Sequence, residues 1–480
     1  MRVAVVLVLV AALGAGSGWG YWQSEREPEP EARVEALAAT PVLSMRRTPE
    51  VLLRPRRDAV VTNAVAGFPE RIPGDSCLMV SEEGRVLFEH RPATPLIPAS
   101  TQKLMVGATL FDLVDPDTTF ETGVWSTEAP VDGAVGDLWL VGGGDPLLAT
   151  EPYRARDGDE PRVYTHFEEL ADAVVDAGIE RVEGAIVGDG TRYDQLRDVP
   201  SWLDRYREQV SAGPLSGLTV NQGLTTFTPE LVAVNPGVPA EDPPAHAAAV
   251  LTDLLEERGV VVAGQASSGE VPPEAAEITA ISSPPVRTVV AHMMQWSDNT
   301  TAELLLKEIG VRGSGEGSTA VGGSVVVATL AEMGVRTDDL VISDGSGLDL
   351  GNRATCQTLL DVLDVAGSDS DLASTLAVVG ESGTLRNRLL DTPAAGRVEA
   401  KTGSLRHTTA LAGFARAADG RVFTFSIISN LEEGEFMPAE GSELQDELML
   451  TLAGIEEIDV PAELEPLEPR SRTDSSSQND

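Results

Sequence analysis

Hydrophobic positions along the chain follow two periods, separated by glycine-rich or acidic turns. Cys77-Leu78-Met79-Val80 and Arg85-Val86-Leu87-Phe88 flank Ser81-Glu82-Glu83-Gly84, where glycine supplies the positive φ of a tight turn. That pattern predicts a hairpin. Residues 101–110 are read as a helix with Ser100 at its start. From about 119 to 283 the texture changes. Strand-like runs at 137–141 and 184–187 alternate with helical ones, of which 167–177 and 247–258 are the clearest. Residues 286–294 predict an amphipathic helix and 300–308 a second one. Residues 421–428 predict a strand with 411–415 as its hairpin partner, and Lys401-Thr402-Gly403-Ser404 begins or precedes another. The expected architecture is α/β (α+β). One sheet capped by helices is built from residues 63–118 and 284–455, and an inserted α+β region at 119–283 splits it. No internal repeat is present.

The two ends read differently. Arg2 precedes a run of valines, leucines and alanines that extends towards Tyr21-Trp22. A short basic region followed by an apolar stretch means export. The stretch is about long enough to span a bilayer and no clean small-residue cleavage site follows, so residues 1–22 fit either a cleaved signal or a retained membrane anchor. Residues 23–62 begin with alternating Pro and Glu and are expected to be a disordered linker. From 456 onward the acidic, Pro-rich and Ser-rich chain is expected to be a disordered tail.

A chain of 480 residues exceeds one ordinary hydrophobic core. Its formal net charge of −41 excludes nucleic acid as a partner, because that would need a basic footprint. Cys77 and Cys356 are too few for a disulfide framework and are read as buried small hydrophobes, with a pairing as the alternative. The five histidines show no metal spacing, so no metal or other cofactor is expected. His407 is assigned a packing or solvent-facing role. Gly142-Gly143-Gly144-Asp145-Pro146 lacks the lysine of a phosphate loop and is read as a turn that can present Asp145 to a ligand.

Lysine is scarce: three, against 32 arginines. Arginine stays charged at any working pH, whereas lysine can lose its proton and act as a base. Lys103 closes Ser100-Thr101-Gln102-Lys103, and Lys401 opens Lys401-Thr402-Gly403. Ser297-Asp298-Asn299 lies between them. Serine and lysine three apart share one helix face. Ser100 is therefore the candidate nucleophile and Lys103 its base, with desolvation and the nearby Lys401 expected to lower the pKa of Lys103. Ser297 can relay a proton to a leaving amine. Asn299 can hold both Lys103 and a substrate backbone. Lys401 and Thr402 suit a substrate carboxylate, and the backbone N–H groups of Ser100 and Ser404 suit an oxyanion. Lys307, beside Glu303 and Glu308, is expected to form a surface ion pair.

The order S-x-x-K, S-x-N, K-T-G is that of serine acyltransferases of the penicillin-binding and β-lactamase type. Over about residues 65–455 the chain resembles the class C low-molecular-mass penicillin-binding proteins, the S13 family of D-alanyl-D-alanine carboxypeptidases/endopeptidases. Further matching segments are Gly136-Asp137-Leu138-Trp139-Leu140-Val141-Gly142-Gly143-Gly144-Asp145-Pro146-Leu147, Asp344-Gly345-Ser346-Gly347-Leu348, Gly383-Thr384-Leu385 and Ala400-Lys401-Thr402-Gly403-Ser404-Leu405. The resemblance implies a penicillin-binding/β-lactamase-like catalytic domain, peptidoglycan stem peptides as substrates, and acylation by β-lactams outside the cytoplasm. It also implies that Asp145 faces the free ammonium end of the stem peptide. Such members commonly continue D-G-S-G-L with Ser-Arg, the arginine serving a substrate side-chain carboxylate. Here Asp349 and Leu350 hold those places, and Arg353 is the candidate substitute. The spacing from Ser100 to Ser297 is shorter than in members with two inserted domains, which implies that one is reduced or missing. Two alternatives stand beside the carboxypeptidase: a serine β-lactamase, for which no convincing deacylating glutamate loop is found, and a non-catalytic wall-binding or β-lactam-sensing module. No protein partner is read from the sequence.

Overall fold

The structure, a computed structural model, describes residues 48–456 apart from 158, 159, 161, 228–236, 433 and 438. The export segment and the acidic tail lie outside the described residues. No described helix is long and apolar enough to cross a membrane. Asp58–Ile458 groups as one unit.

A six-stranded antiparallel sheet forms the base. Its order is Ala377–Val378, Val398–Leu405, Thr408–Arg416, Val422–Asn430, Asp75–Glu82, Arg85–His90. Strands from the two ends of the chain meet at its centre, where Cys77 lies opposite Ile428. Alternation along the strands serves two cores. Ala410, Ala412 and Phe414 face one, with Leu104, Val290 and Leu305 from the helices on that side. Leu411 and Ala415 face the other, with Phe423, Phe425 and Leu448. Covered on both faces, the central strands carry near-continuous apolar runs instead of a half-polar alternation. The expected first hairpin is present, and Glu83 and Gly84 at its tip both have positive φ.

Two expectations are corrected here. The segment read as disordered up to residue 62 is helical from Thr48 to Val65. Val61, Val65 and Phe68 recur at helical spacing and are buried in the second core. Pro55 and the arginines around it mask that period. Cys77 and Cys356 are joined as a disulfide, with Cα atoms 5.8 Å apart. The bond ties the first strand to the helix Cys356–Ala366 across 279 residues of sequence, a separation over which no local pattern betrays a partner.

The inserted region has its own five-stranded sheet, ordered Ser267–Ser268, Ile186–Asp189, Leu138–Val141, Glu121–Ser126, Ala276–Ser282. The first three strands are parallel, and Phe167–Asp176 and Pro243–Glu257 are the crossover helices between them. The last two strands are antiparallel neighbours, with Glu121 opposite Ser282. The chain thus enters and leaves the insertion side by side. The hydroxyl of Ser283 accepts from the Phe120 N–H at 2.9 Å, and the Ser283 N–H donates to the Phe120 carbonyl at 2.8 Å. This closed gate lets an insertion interrupt the catalytic fold without spreading it.

Candidate active site

Ser100 lies in a 3-10 turn, Ala99–Gln102, that leads directly into the helix Lys103–Leu113. Ala99 has a φ of 48°, the left-handed region that a residue with a Cβ occupies only when its surroundings impose it. The constraint comes from Gly347. Its φ is 87°, and a Cβ there would lie 2.0 Å from the Ala99 carbonyl. Gly403 approaches from the other side, where a Cβ would lie 2.8 Å from the Pro98 carbonyl. The nucleophile's backbone is therefore gripped between two glycines, one from D-G-S-G-L and one from K-T-G.

Lys103 is fully buried. Its Nζ donates to Ser100 Oγ at 3.1 Å, Asn299 Oδ1 at 2.9 Å and the Ser346 carbonyl at 2.6 Å. All three acceptors are uncharged. Burial lowers its pKa to about 8, against the more distant pull of Asp344, Glu303 and Asp298. Lys401 is also fully buried and donates to Ser297 Oγ at 2.9 Å and the Thr402 carbonyl at 2.8 Å. Burial first, and the charge of Lys103 second, push Lys401 well below its usual value. Burial is thus the cause that lowers Lys103, and on Lys401 the charge of Lys103 adds to it.

The helix Val286–Trp296 ends on Ser297, which adopts a left-handed φ of 55°. Asp298 then caps the helix Asn299–Ser314 by accepting from the Thr301 N–H at 2.6 Å. This sharp reversal throws Ser297 and Asn299 to the same side. Asn299 Nδ2 does not wait for substrate; it donates to the Ser211 carbonyl at 2.8 Å. Thr402 Oγ1 meets Thr384 Oγ1 at 3.0 Å, which joins the G-T-L turn to the K-T-G strand. That strand pairs with Ala377–Val378 only through Glu399 and Ala400. Among the described residues, no strand covers the same edge from Lys401 to Leu405.

The insertion closes one wall of the site. Trp202 Nε1 donates to Asp344 at 2.8 Å, the Gly213 N–H donates to Thr300 Oγ1 at 2.9 Å, and Gln222 Nε2 donates to Asp298 at 2.6 Å. Trp202 also packs with Val199, Tyr206 and Leu348. Sequence reading placed these residues in a separate region. Nothing in their local pattern signals that they reach the D-G-S-G-L loop.

The profile of the D-Ala-D-Ala carboxypeptidase 3 (S13) family matches residues 72–241 and 229–451. The chain belongs to the S13 family. Its activity is that of a serine-type D-Ala-D-Ala carboxypeptidase. Among similar proteins, a D-alanyl-D-alanine carboxypeptidase of an Actinomadura species is 30% identical over 73% of this chain and 76% of its own length. Carboxypeptidase DacB of Mycolicibacterium smegmatis is 32% identical over 73% of this chain and 75% of its own. Penicillin binding protein 4 from Haemophilus influenzae shares the fold, with a TM-score of 0.67, 20% identity, and coverage of 80% of this chain and 97% of that one.

Within this S13 chain three further expectations meet different geometry. Asp145 is buried, and its carboxylate turns inward to accept from Thr165 Oγ1 at 2.6 Å and the Leu147 N–H at 2.8 Å. Burial raises its pKa to about 6. In this conformation it braces its own turn and does not face a ligand. Lys307 is not at the surface: it is fully buried and pairs with Asp194 of the insertion at 2.5 Å. Arg353 donates from Nη1 to the carbonyls of Leu350 and Asn352, both at 2.7 Å, which ties that end of its guanidinium to its own loop. His407 is buried, as a packing role requires.

Proposed function

We propose that Ser100 attacks the carbonyl between the last two D-alanines of a peptidoglycan stem peptide, or the D-alanyl bond of a cross-link. Lys103 takes the hydroxyl proton as the ester bond forms. Collapse of the tetrahedral adduct breaks the C–N bond, and the proton taken up by Lys103 is relayed through the hydroxyl of Ser297, which Lys401 holds, to the departing amine, so that Lys103 is neutral again and Ser297 keeps its hydroxyl. Water then cleaves the ester, with Lys103 again the base, and returns Ser100 to its starting form. Oxyanion charge falls on the N–H groups of Ser100 and Ser404. The substrate lies along the open edge of the K-T-G strand, with Thr402 and Lys401 towards its carboxylate, while Gly403 lets the turn that carries Ser100 approach the strand.

The observation that carries this reading is the set of contacts at Lys103: a fully buried amine, 3.1 Å from Ser100 Oγ, with no carboxylate among its acceptors. A β-lactam presents a strained amide to the same serine and is proposed to acylate it. The site of action is proposed to be outside the cytoplasm. The export-like first 22 residues support this, as does the Cys77–Cys356 disulfide, a bond that persists in oxidising compartments. The test is covalent labelling of the full chain with a fluorescent penicillin, together with mass spectrometry of defined muropeptides. Wild-type protein should gain the adduct mass on the peptide containing Ser100 and release D-alanine. Ser100→Ala should do neither while melting as a folded protein. Persistent labelling of that variant would overturn the assignment.

A further inference from the structure

We propose that Glu303 is a positioning residue for the general base, acting through the Gly345–Ser346 backbone that it clamps. The inference rests on the assignment of Lys103 as base. Glu303 is fully buried one helical turn beyond Asn299, on the same face of the helix Asn299–Ser314. Two arms reach Lys103 from that face. The direct arm is Asn299 Oδ1, 2.9 Å from Nζ. The indirect arm starts at the Glu303 carboxylate, which accepts from the Gly345 N–H at 3.1 Å and the Ser346 N–H at 2.8 Å. Ser346 then turns its own carbonyl to Lys103 Nζ at 2.6 Å, the shortest of the lysine's contacts. Gly345 makes the clamp possible, because a Cβ there would lie 2.5 Å from the Ala302 carbonyl. The same loop continues into Gly347, which presses on the Ala99 carbonyl beside the nucleophile. Releasing the loop would therefore loosen both partners of the Ser100–Lys103 contact.

The side chain at 303 has to be an acceptor, since both backbone groups facing it are donors. A glutamine that keeps both contacts at Oε1 would set its NH2 against the Gly345 N–H, donor facing donor, in place of the Oε2 that accepts there at 3.2 Å. Charge adds a second effect. Glu303, Asp344 and Asp298 all favour the protonated form of Lys103. Glu303 is itself pushed upward by burial and by Asp344. In its ionised form, which its two backbone donors favour, Glu303 is one of the groups that hold the proton on Lys103, so an uncharged acceptor in its place should let the base shed that proton at lower pH.

The experiment compares wild type, Glu303→Gln and Glu303→Asp as full chains. Rate constants for acylation by a fluorescent penicillin are followed from about pH 6 to about pH 10, with melting curves alongside. For Glu303→Gln we expect a plateau at least about tenfold lower, with the rising limb displaced to lower pH by about half a unit or more. Glu303→Asp keeps the charge on a shorter arm, so its limb should stay near that of wild type while its plateau falls by at least about threefold. A Glu303→Gln protein that melts earlier but acylates with wild-type rate and midpoint would reduce Glu303 to a structural role and overturn the proposal. If the Gln variant does not fold, an unchanged plateau in Glu303→Asp overturns it equally. Failure of the wild type to label would instead sink the reading of Lys103 on which the proposal rests.

Discussion

The catalytic cleft and the seam between insertion and catalytic helices each bury lysine completely, by opposite means. In the seam, Lys307 meets the Asp194 carboxylate at 2.5 Å, and next to it Glu308 is bound by Arg192 and Arg312 at 2.6 and 2.7 Å. In the cleft, Lys103 and Lys401 meet only hydroxyl, amide and carbonyl oxygens. Desolvation is common to both regions; a directly bonded counter-ion is found only in the seam. A buried ammonium with a carboxylate partner is a fastener. Without one it is pressed towards the neutral amine, the form that can accept a proton. Lysine economy in the sequence marks all three positions, and only the acceptors around each amine tell the base from the fastener.

Lys103→Arg is the most severe way to break the contrast. Arginine keeps the charge but cannot serve as a base, so penicillin acylation should fall by about 10²–10⁴-fold, measured as the rate of covalent labelling. Retention of more than about a tenth of the wild-type rate, a barrier change below about 1.4 kcal/mol, would refute the base assignment. Asp194→Ala attacks the other region. It strands the Lys307 charge and should cost about 3 kcal/mol of stability, the lower end for a broken buried pair because Asp194 is itself 28% exposed. Chemical denaturation measures that loss, while the labelling rate of the folded fraction should stay at the wild-type level.

Recognition beyond the lysines gives a smaller effect. With leucine at position 350, and with Arg353 Nη1 held by the carbonyls of its own loop, wild-type protein should cut stems with an amidated or neutral third residue about as well as those with a free carboxylate there. Leu350→Arg should favour the free-carboxylate peptide by about 1.5–3 kcal/mol. Asp349 is already taken by Ser201 and the Gly351 N–H, which limits its competition for the new cation. Matched peptides compared by kcat/KM decide the matter, and a wild-type preference of about a hundredfold for the free carboxylate would refute it. The smallest effect is in pH. Since the neutral amine is the active form, acylation should rise as pH increases through the Lys103 pKa of about 8, gaining about tenfold between pH 7 and pH 9. A falling limb over that range would reverse the sign and with it the role.

What the sequence discloses follows from which interactions are local. The Ser100-to-Lys103 spacing, the Ser297–Asn299 reversal between two helices and the K-T-G strand are short-range patterns. The structure brings all three together at Lys103 and Lys401. The hairpin at Glu83-Gly84 and the strands Thr408–Arg416 and Val422–Asn430 are legible for the same reason. Long-range pairings leave no such trace. Cys77 and Cys356, Lys307 and Asp194, and Trp202 and Asp344 are each brought together by tertiary packing. The helix Thr48–Val65 is hard to see in the sequence because Pro55 and three arginines dilute the period that Val61 and Val65 carry into the second core. The resemblance implies that Asp145 faces a ligand, yet Thr165 offers a buried hydroxyl that draws the carboxylate in.

The pairing of Asp75–Glu82 with Val422–Asn430 bears on when the enzyme comes alive. A chain emerges from its ribosome, or from an export channel, beginning with its first residues. Ser100 and Lys103 are out early, but Asn299 and Lys401 follow some 200 and 300 residues later, and the strand that locks the sheet later still. Bringing such distant segments together carries a loop-closure cost that local contacts cannot offset in advance. A half-delivered chain therefore holds Ser100 and Lys103 without Asn299 and without the K-T-G strand. The site is complete only once the strand Val422–Asn430 has joined the sheet between Thr408–Arg416 and Asp75–Glu82.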